Sequence, residues 1–392
     1  MEHRFWSTQP VPQEQPADGV VPGPLRDDDA SKVRPQPLGL PADFTWCTID
    51  ITHDDELSQL HDLLTAHYVE DVDALFRFAY SASFLRWALA PPGYHKNWHV
   101  GVRVKATNKL VAFISAVPLS LRILDALPKA MAEVNFLCIH KKLRDKRLAP
   151  VLIREVTRRV NLVGIFQAIY TAGVRIPSPI ATVRYYHRNL NPIKLLETRF
   201  SHLPRHLSLQ DYQRRYKLPE KPTLKLREMT IDDVTAVCSL LNQSLHQRCK
   251  LHPVFDELHA KHWLAPHKDV VWAWVIDNPD ENATLPITDY VSFYSLPSSV
   301  IGHPVHSDIR AAYLYYHAST SSDPEHTQEL IRNTLIHAKR LGFDVFNALA
   351  LMNNQPFMEP LKFAPGDGYL NYYLFNWKCP GLQPADVGLT ML

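Results

Sequence analysis

"EVNFLCIHKKLRDKRLAPVLIREV", residues 133–156, packs three patterns into one stretch. Val134–Ile139 is an apolar run of strand length. Lys141, Lys142, Arg144, Lys146 and Arg147 then crowd together. Leu148, Val151, Leu152 and Val156 recur at helical spacing, and Pro150 suits a first helical turn, where its missing N–H forfeits no bond. The predicted order is strand, basic loop, helix. In that order the free N–H groups and the positive end of the helix dipole converge where the cations sit, which makes a cradle for phosphate or pyrophosphate. Two blander readings compete: a Lys/Arg run is often a solvated face, and short basic runs also serve as nuclear-localisation or nucleic-acid patches. A net charge of only +2 over 392 residues supplies no protein-wide field for nucleic acid. Position in the strand–loop–helix order favours the cradle.

Outward from this stretch the chain reads as two halves behind an arm. Residues 1–45 form the arm: prolines recur through 8–43 without periodicity, as in "TQPVPQEQPADGVVPGPL". The aromatics of "RFWS" at its start predict a segment docked on the core or forming the wall of a site. "FTWCTIDIT" then reads as a strand and "HDDELSQLHDLLTAHYV" as a helix, and "LKLREMTIDDVTAVCSLLNQSL" repeats that pattern. Thr52, Asp54 and Asp55 match Thr230, Asp232 and Asp233 at one constant offset, and Leu60 and Leu63 match Cys238 and Leu241. In both copies Thr followed three residues later by Asp resembles a capping box. Each half also ends on a helix with an aromatic-rich segment, "PIATVRYYHRNLNPIKLLETRF" and "NNQPFMEPLKFAPGDGYLNYYLFNW". The expectation is two α/β halves, 46–215 and 216–392, related by duplication. "HVGVRVKATNKLVAFISAVPLSLRI" predicts two strands turning at Thr107–Asn108. "WAWVIDN" and "DYVSFYSLP" read as strands, and "HTQELIRNTLIHAKRLGF" as a helix stopped at Gly342.

Cys47, Cys138, Cys238, Cys249 and Cys379 are scattered, with no CxxC pair to suggest a disulfide framework or zinc ribbon. His259, His262 and His267 in "HAKHWLAPH" lack a thiol or carboxylate partner and read as a surface helix rather than a metal site. No apolar run has the length of a membrane span, and no signal-peptide layout opens the chain. The expectation is a protein of a reducing compartment, without metal.

Arg144-x-x-Arg147-x-Ala149 resembles the (Q/R)xxGx(G/A) pyrophosphate loop of GNAT-type acyltransferases, with Arg147 where Gly is usual. Longer stretches are more specific: "RFW" (4–6), "YVED" (68–71), "FRF" (76–78), "NFLCIHKKLRDKRLAPVLI" (135–153), "TAGVRIP" (171–177), "YYHRNLNP" (185–192), "GDGYLNYYLFNW" (366–377) and the closing "VGLTML". Together they identify the chain as a member of the eukaryotic N-myristoyltransferases, with a resemblance drawn to the fungal branch. The resemblance implies an α/β (α+β) fold of two tandem GNAT-like halves in pseudo-twofold relation, a mixed sheet flanked by helices. It also implies transfer of a fourteen-carbon acyl group from myristoyl-CoA to the N-terminal glycine of protein substrates, by direct attack on the thioester. A thioester is already activated, so the chemistry asks for donors to the developing oxyanion and a base for the glycine ammonium.

By the same resemblance, the backbone N–H groups of Phe136 and Leu137 form the oxyanion hole, the α-carboxylate of Leu392 is the base, and Asn135 and Thr171 assist. A frayed end is the commoner fate of a terminus; the uncharged "VGLTML" suits a tucked one. Myristoyl-CoA is the co-substrate, with no prosthetic group. It is expected to meet Arg4, Phe5, Trp6, Phe136, Leu137, Cys138, Ile139, Arg144, Asp145, Lys146, Arg147, Leu148 and Ala149. Asp145 stands where several relatives carry Ser, and is read as capping the following helix. The peptide is expected to meet Tyr68, Phe76, Phe78, Tyr80, Gly173, Tyr185, His187, Tyr313, Leu370 and, more weakly, Asn353. Asp71, Asp73 and Asp367 would attract basic substrate residues, and Val72 interrupts a longer acidic run. Without the family, core packing explains the aromatics and a helix-end charge cluster explains "VEDVD". Expected partners are glycine-initiated nascent proteins, in the cytoplasm and in contact with ribosomes, without nucleic acid or stable membrane insertion. The alternatives are a GNAT-type N-acyltransferase with another acyl chain or amine, and a non-enzymatic binder using the basic loop.

Overall fold

The computed structural model describes residues 4–14, 16, 19–69, 75–280 and 282–392. Among the described residues a mixed sheet of thirteen strands runs through the molecule. Its spatial order is Phe44–Thr48, Val100–Val104, Leu110–Ile123, Lys129–Ile139, Ala168–Ala172, Ala364–Phe375, Ala181–Asn189, Val345–Leu349, Ala311–Ser319, Ile287–Ser295, Val271–Asp277 and Arg227–Glu228, with Leu251–Pro253 paired to the third. The order is a palindrome in topology. Five strands of the first half run inward in chain order, and five strands of the second half do the same from the opposite edge. The sixth strands are exchanged: Ala364–Phe375 lies between Ala168–Ala172 and Ala181–Asn189, pairing antiparallel with both. The pairing senses match as well. Lys129–Ile139 runs parallel to Ala168–Ala172, as Ala311–Ser319 does to Val345–Leu349, while the other neighbours along this path are antiparallel.

The helices obey the same symmetry. Asp54–His67 and Leu148–Asn161 pack on the first half's strands, and Val234–Arg248 and Pro324–Arg340 on the second half's. Leu152, Val156 and Val160 recur one helical turn apart and are all buried against Val100, Val102, Ile114 and Trp98. Burial of such a side chain stabilises by about 1.5–3 kcal/mol. The expectation of a mixed α+β sheet flanked by helices is met. A second, three-stranded sheet joins Phe76–Phe78 of the first half to Ser298–Val300 and Asp308–Ile309 of the second.

Two local expectations need correcting. Thr230 and Asp233 do form a reciprocal capping box, but Thr52 and Asp55 do not. The helix Asp54–His67 starts after His53, which has no side-chain cap. Thr52 instead gives its backbone N–H and hydroxyl to Asp50, at 3.0 and 2.6 Å, because Asp50 is anchored by Lys96 and becomes the local acceptor. The terminal segments of the halves also correspond as strands, not as helices. The first-half segment runs strand Ala181–Asn189 then short helix Pro192–Glu197, and the second runs short helix Gln355–Met358 then strand Ala364–Phe375. Elsewhere the turn falls at Asn108 (φ 53°), and Gly342 (φ 80°) follows the helix Pro324–Arg340.

Candidate active site

A cavity of about 1010 Å³ opens where the halves meet, at the upper end of the range for ligand sites. Its central feature is a break in the strand Lys129–Ile139. The ladder with Leu110–Ile123 pairs Cys138 with Phe113 and Asn135 with Ser115, so Phe136 and Leu137 together oppose Ile114 alone. Phe136 takes the left-handed conformation, φ 55°. Such a bulge releases backbone groups from the ladder and re-aims them. The Phe136 ring is buried against Tyr80 (5.3 Å) and Tyr68 (6.0 Å). Burial, with the Cys138 thiol beside it, holds the Tyr68 hydroxyl protonated, while a hydrogen bond from the Phe136 backbone opposes that. Phe136 and Leu137 both line the cavity.

Leu392 lines the same cavity, with Met391. The segment leading to it is threaded through the interior: Leu389, Thr390 and Met391 are buried. The Thr390 hydroxyl donates to the Tyr315 carbonyl at 3.1 Å, and the Tyr372 hydroxyl donates to the Leu389 carbonyl at 2.8 Å. Tucking, not fraying, is what these bonds enforce. Asn135 and Thr171 both line the cavity. Asn135 Nδ2 donates to Glu133 Oε1 at 2.7 Å. Glu133 is buried, and burial pushes its carboxyl up to about 7, with the Asn135 hydrogen bond opposing.

The apolar end of the cavity is made by the inner face of Leu148–Asn161 (Ile153, Val156, Val160) facing Val134, Phe166 and Phe375. The arm covers it. Trp6 stacks on Tyr170 at 5.4 Å, Tyr170 stacks on Tyr373 at 5.2 Å, and Phe5 meets Trp6 edge-on beneath the Arg154 guanidinium. Arg4, Phe5 and Trp6 all line the cavity, so the arm aromatics are docked and also form a wall. The arm is held by mutual bonds with Asn376: Asn376 N–H donates to Pro10 and Arg26 N–H donates to Asn376 Oδ1.

The basic knot is a tight exposed turn ahead of the helix Leu148–Asn161, with Pro150 in its first turn. Asp145 (φ 63°) and Arg147 (φ 57°) are both left-handed. Arg147 therefore keeps the backbone that a glycine would supply in the related loop. No side chain caps this helix, which corrects the expectation for Asp145, an exposed residue of the left-handed turn. Arg144 binds the His67 carbonyl at the end of the helix Asp54–His67. Among the loop residues Ala149 reaches the cavity, whereas Arg144, Asp145, Lys146, Arg147 and Leu148 do not line it. Cys138 and Ile139 do not line it either. The Cys138 thiol sits 3.8 Å from the Leu63 carbonyl, and burial pushes it up to about 12. Ile139 packs with the core beneath the helix Leu148–Asn161.

At the opposite end Tyr68, Phe76, Phe78, Tyr80, Gly173, Tyr185, His187, Tyr313 and Leu370 all line the cavity. His187 Nδ1 lies 2.6 Å from Asn347 Oδ1, and burial holds its imidazole below the ordinary range while Asn347 and the Asp367 charge oppose. The strand Ala364–Phe375 bulges between Pro365 and Tyr369. That bulge lets Gly366 lie against the ring, where a Cβ would fall 2.2 Å from His187 Nε2. Asp367 is exposed and off the cavity wall, within electrostatic reach of His187. Asn353 is exposed in a left-handed turn (φ 60°) and is not brought to the cavity. Its place is taken by Asn347, six residues earlier and aligned with His187 by strand register. Asp71 and Asp73, with Val72, lie outside the described residues. Among the described residues no group of His, Cys, Asp and Glu side chains is arranged to hold a metal ion, and no helix is long and apolar enough to cross a membrane.

The model of the Myristoyl-CoA:protein N-myristoyltransferase N-terminal domain matches residues 25–183, and that of the C-terminal domain matches residues 197–389. The chain belongs to the N-myristoyltransferase family. Similarity to individual N-myristoyltransferases spans the whole length. A Danio rerio glycylpeptide N-tetradecanoyltransferase 2 is 49% identical over 100% of this chain and 77% of its own. A Schizosaccharomyces pombe glycylpeptide N-tetradecanoyltransferase is 49% identical over 100% of this chain and 90% of its own. These equal identities to fish and fission yeast single out no branch. Saccharomyces cerevisiae N-myristoyltransferase, crystallised with bound myristoyl-CoA, superposes with a TM-score of 0.94 at 38% identity, covering 100% of this chain and 99% of that one.

Several N-myristoyltransferase cavity residues carried no sequence signal. Asn347, Tyr294 and Ser298 line the cavity, yet each sits in a segment that reads as ordinary strand or loop; Phe200 and Tyr369 line it too, from within aromatic-rich segments that single out neither residue. Tyr170, another cavity residue, is marked in the sequence only by its neighbour Thr171.

Proposed function

We propose that this chain transfers the tetradecanoyl group of myristoyl-CoA to the N-terminal glycine amine of protein substrates. The observation that carries the reading is that the Phe136–Leu137 bulge and Leu392 open onto one cavity with an apolar end and an aromatic end. The acyl chain occupies the apolar end under Trp6. Its thioester carbonyl lies at the bulge, where the N–H groups of Phe136 and Leu137 receive the oxyanion. The glycine ammonium, delivered from the aromatic end, loses a proton to the Leu392 α-carboxylate, and the resulting amine attacks the carbonyl carbon. The tetrahedral adduct collapses, the C–S bond breaks, and the CoA sulfur leaves as thiolate, which takes up the second proton shed by the nitrogen. An amide and free CoA result. Asn135 and Thr171 hold the amine; Arg144, Lys146 and Arg147, at the rim beside the helix start, hold the phosphates. The same reading divides the chain into an arm (1–45), a first half (46–215) that takes the acyl donor and a second half (216–392) that contributes peptide contacts and the closing segment. Cytoplasmic placement near ribosomes belongs to it, because the acceptor is a newly exposed N-terminal glycine.

The test is CoA release and peptide acylation with C2 to C16 acyl-CoA donors and a glycine-initiated peptide. Transfer peaking at C14 is expected. A preference for short donors, or for an amine other than an N-terminal glycine, would favour a different N-acyltransferase. Deleting Leu392 should slow the chemical step by at least about 100-fold, as for loss of a positioned base, while myristoyl-CoA still binds. Unchanged turnover would remove the carboxylate from the mechanism.

A further inference from the structure

Among the described residues that line the cavity, none is Asp or Glu. An ammonium entering it leaves water and meets, besides the Leu392 α-carboxylate, walls of aromatic, apolar and neutral polar groups together with Arg4 and Arg77, which is costly unless further acceptors offer negative potential. Asn135 is a wall residue able to do so. Its amide has two ends, and which end faces the cavity is decided by hydrogen bonding. Nδ2 is taken by Glu133 Oε1 at 2.7 Å, two residues earlier on the same strand face. Among the described residues no hydrogen bond engages Oδ1, so the acceptor end remains for the cavity.

We propose that Glu133 is a positioning residue for the amine: by binding Asn135 Nδ2 it turns Asn135 Oδ1 into the cavity, where that oxygen accepts a hydrogen bond from the substrate's terminal ammonium. The inference rests on the functional reading above. A carboxyl oxygen accepting from Nδ2 also polarises the amide, most strongly when the carboxyl is ionised, strengthening the amide oxygen as an acceptor. Glu133 sits where such a role requires rigidity. It is 9% exposed, beside Tyr315, Tyr316 and Tyr372. Those tyrosines, through Tyr315 O, Tyr316 Oη and Tyr372 Oη, also hold Leu389 and Thr390 in place. The amide that receives the ammonium and the segment that ends at Leu392 are thus fixed by one buried cluster.

A double-mutant cycle in the transfer assay tests this, with the Kd for myristoyl-CoA measured on every variant. Glu133→Leu and Asn135→Leu should each lower kcat/KM for the peptide about 10-fold, as expected for a lost charge-assisted bond, with the Kd for myristoyl-CoA unchanged. The double variant should fall no further than Asn135→Leu alone. Glu133→Gln keeps an acceptor for Nδ2 and should stay within about 3-fold of the wild type. A swapped pair supplies a second readout that does not depend on Glu133→Leu folding. Asn135→Asp sets two carboxylates against each other and should be severely impaired; Glu133→Gln in that background should restore activity by letting the amide donate to Asp. Losses that multiply in the double variant, a Glu133→Gln variant as slow as Glu133→Leu, or no rescue by the swap would overturn the proposal and leave the functional reading standing. A wild-type protein that acylates no glycine peptide would overturn both.

Discussion

His317 shows how burial decides the behaviour of a single side chain. It lies on Ala311–Ser319, is 3% exposed, and its Nε2 sits 2.8 Å from Asn354 Oδ1. Burial, then the nearby Arg248 charge, pushes its imidazole down to about 3, with the Asn354 hydrogen bond opposing. The unfolded chain binds this proton near pH 6.5. Below that pH the unfolded state holds one proton more than the folded state, so stability from this site is complete above pH 6.5 and is lost as pH falls toward 3. The loss should reach about 2 kcal/mol at pH 5. Urea unfolding at pH 7 and pH 5 checks it: the wild type should lose about that much more stability than His317→Gln. Equal losses would show that His317 protonates with little cost in the folded protein. "LYYHAS" shows a histidine inside an aromatic strand, which hints at burial, but the facing Asn354 comes from a different segment and has no signature.

At the scale of the element, the stretch 133–156 becomes strand, bulge, basic turn and helix in the order its residues dictate. Apolar spacing places the strand and the helix, and the crowding of cations places the turn. What spacing cannot show is the bulge, because Phe136 and Leu137 look like strand interior until a partner strand is laid beside them. The capping reading failed at Thr52 for a similar reason: Lys96, distant in sequence, anchors Asp50 and makes it the local acceptor. The turn itself yields a direct prediction. Arg144→Ala with Arg147→Ala should raise the KM for acyl-CoA by at least about 10-fold, since charge-assisted bonds to phosphate contribute about 1.5–3 kcal/mol each, and leave the peptide KM within about 2-fold. An unchanged acyl-CoA KM would remove the turn from phosphate binding, and steady-state kinetics varying each substrate in turn decides it.

At the scale of the whole molecule, the exchange of sixth strands makes the two halves interdependent. Without 216–392, Ala168–Ala172 loses one neighbouring strand and Ala181–Asn189 loses both, leaving three rows of backbone N–H and C=O groups unpaired. Fragments 1–215 and 216–392 expressed separately should therefore show no cooperative unfolding, while the two refolded together should form a one-to-one complex. A fragment 1–215 that melts cooperatively by itself would refute this. The sequence by itself determined the class of fold, the doubled arrangement, the family and a core set of cavity residues, because these rest on local spacing, turn chemistry and long ordered motifs. Only the tertiary structure decided which strand crosses to which half, that Asn347 and not Asn353 meets His187, that Phe136 and Leu137 share one partner, and that Glu133 stands behind Asn135. Each of those depends on a strand or side chain supplied by a neighbour, and on the burial that follows once it is supplied.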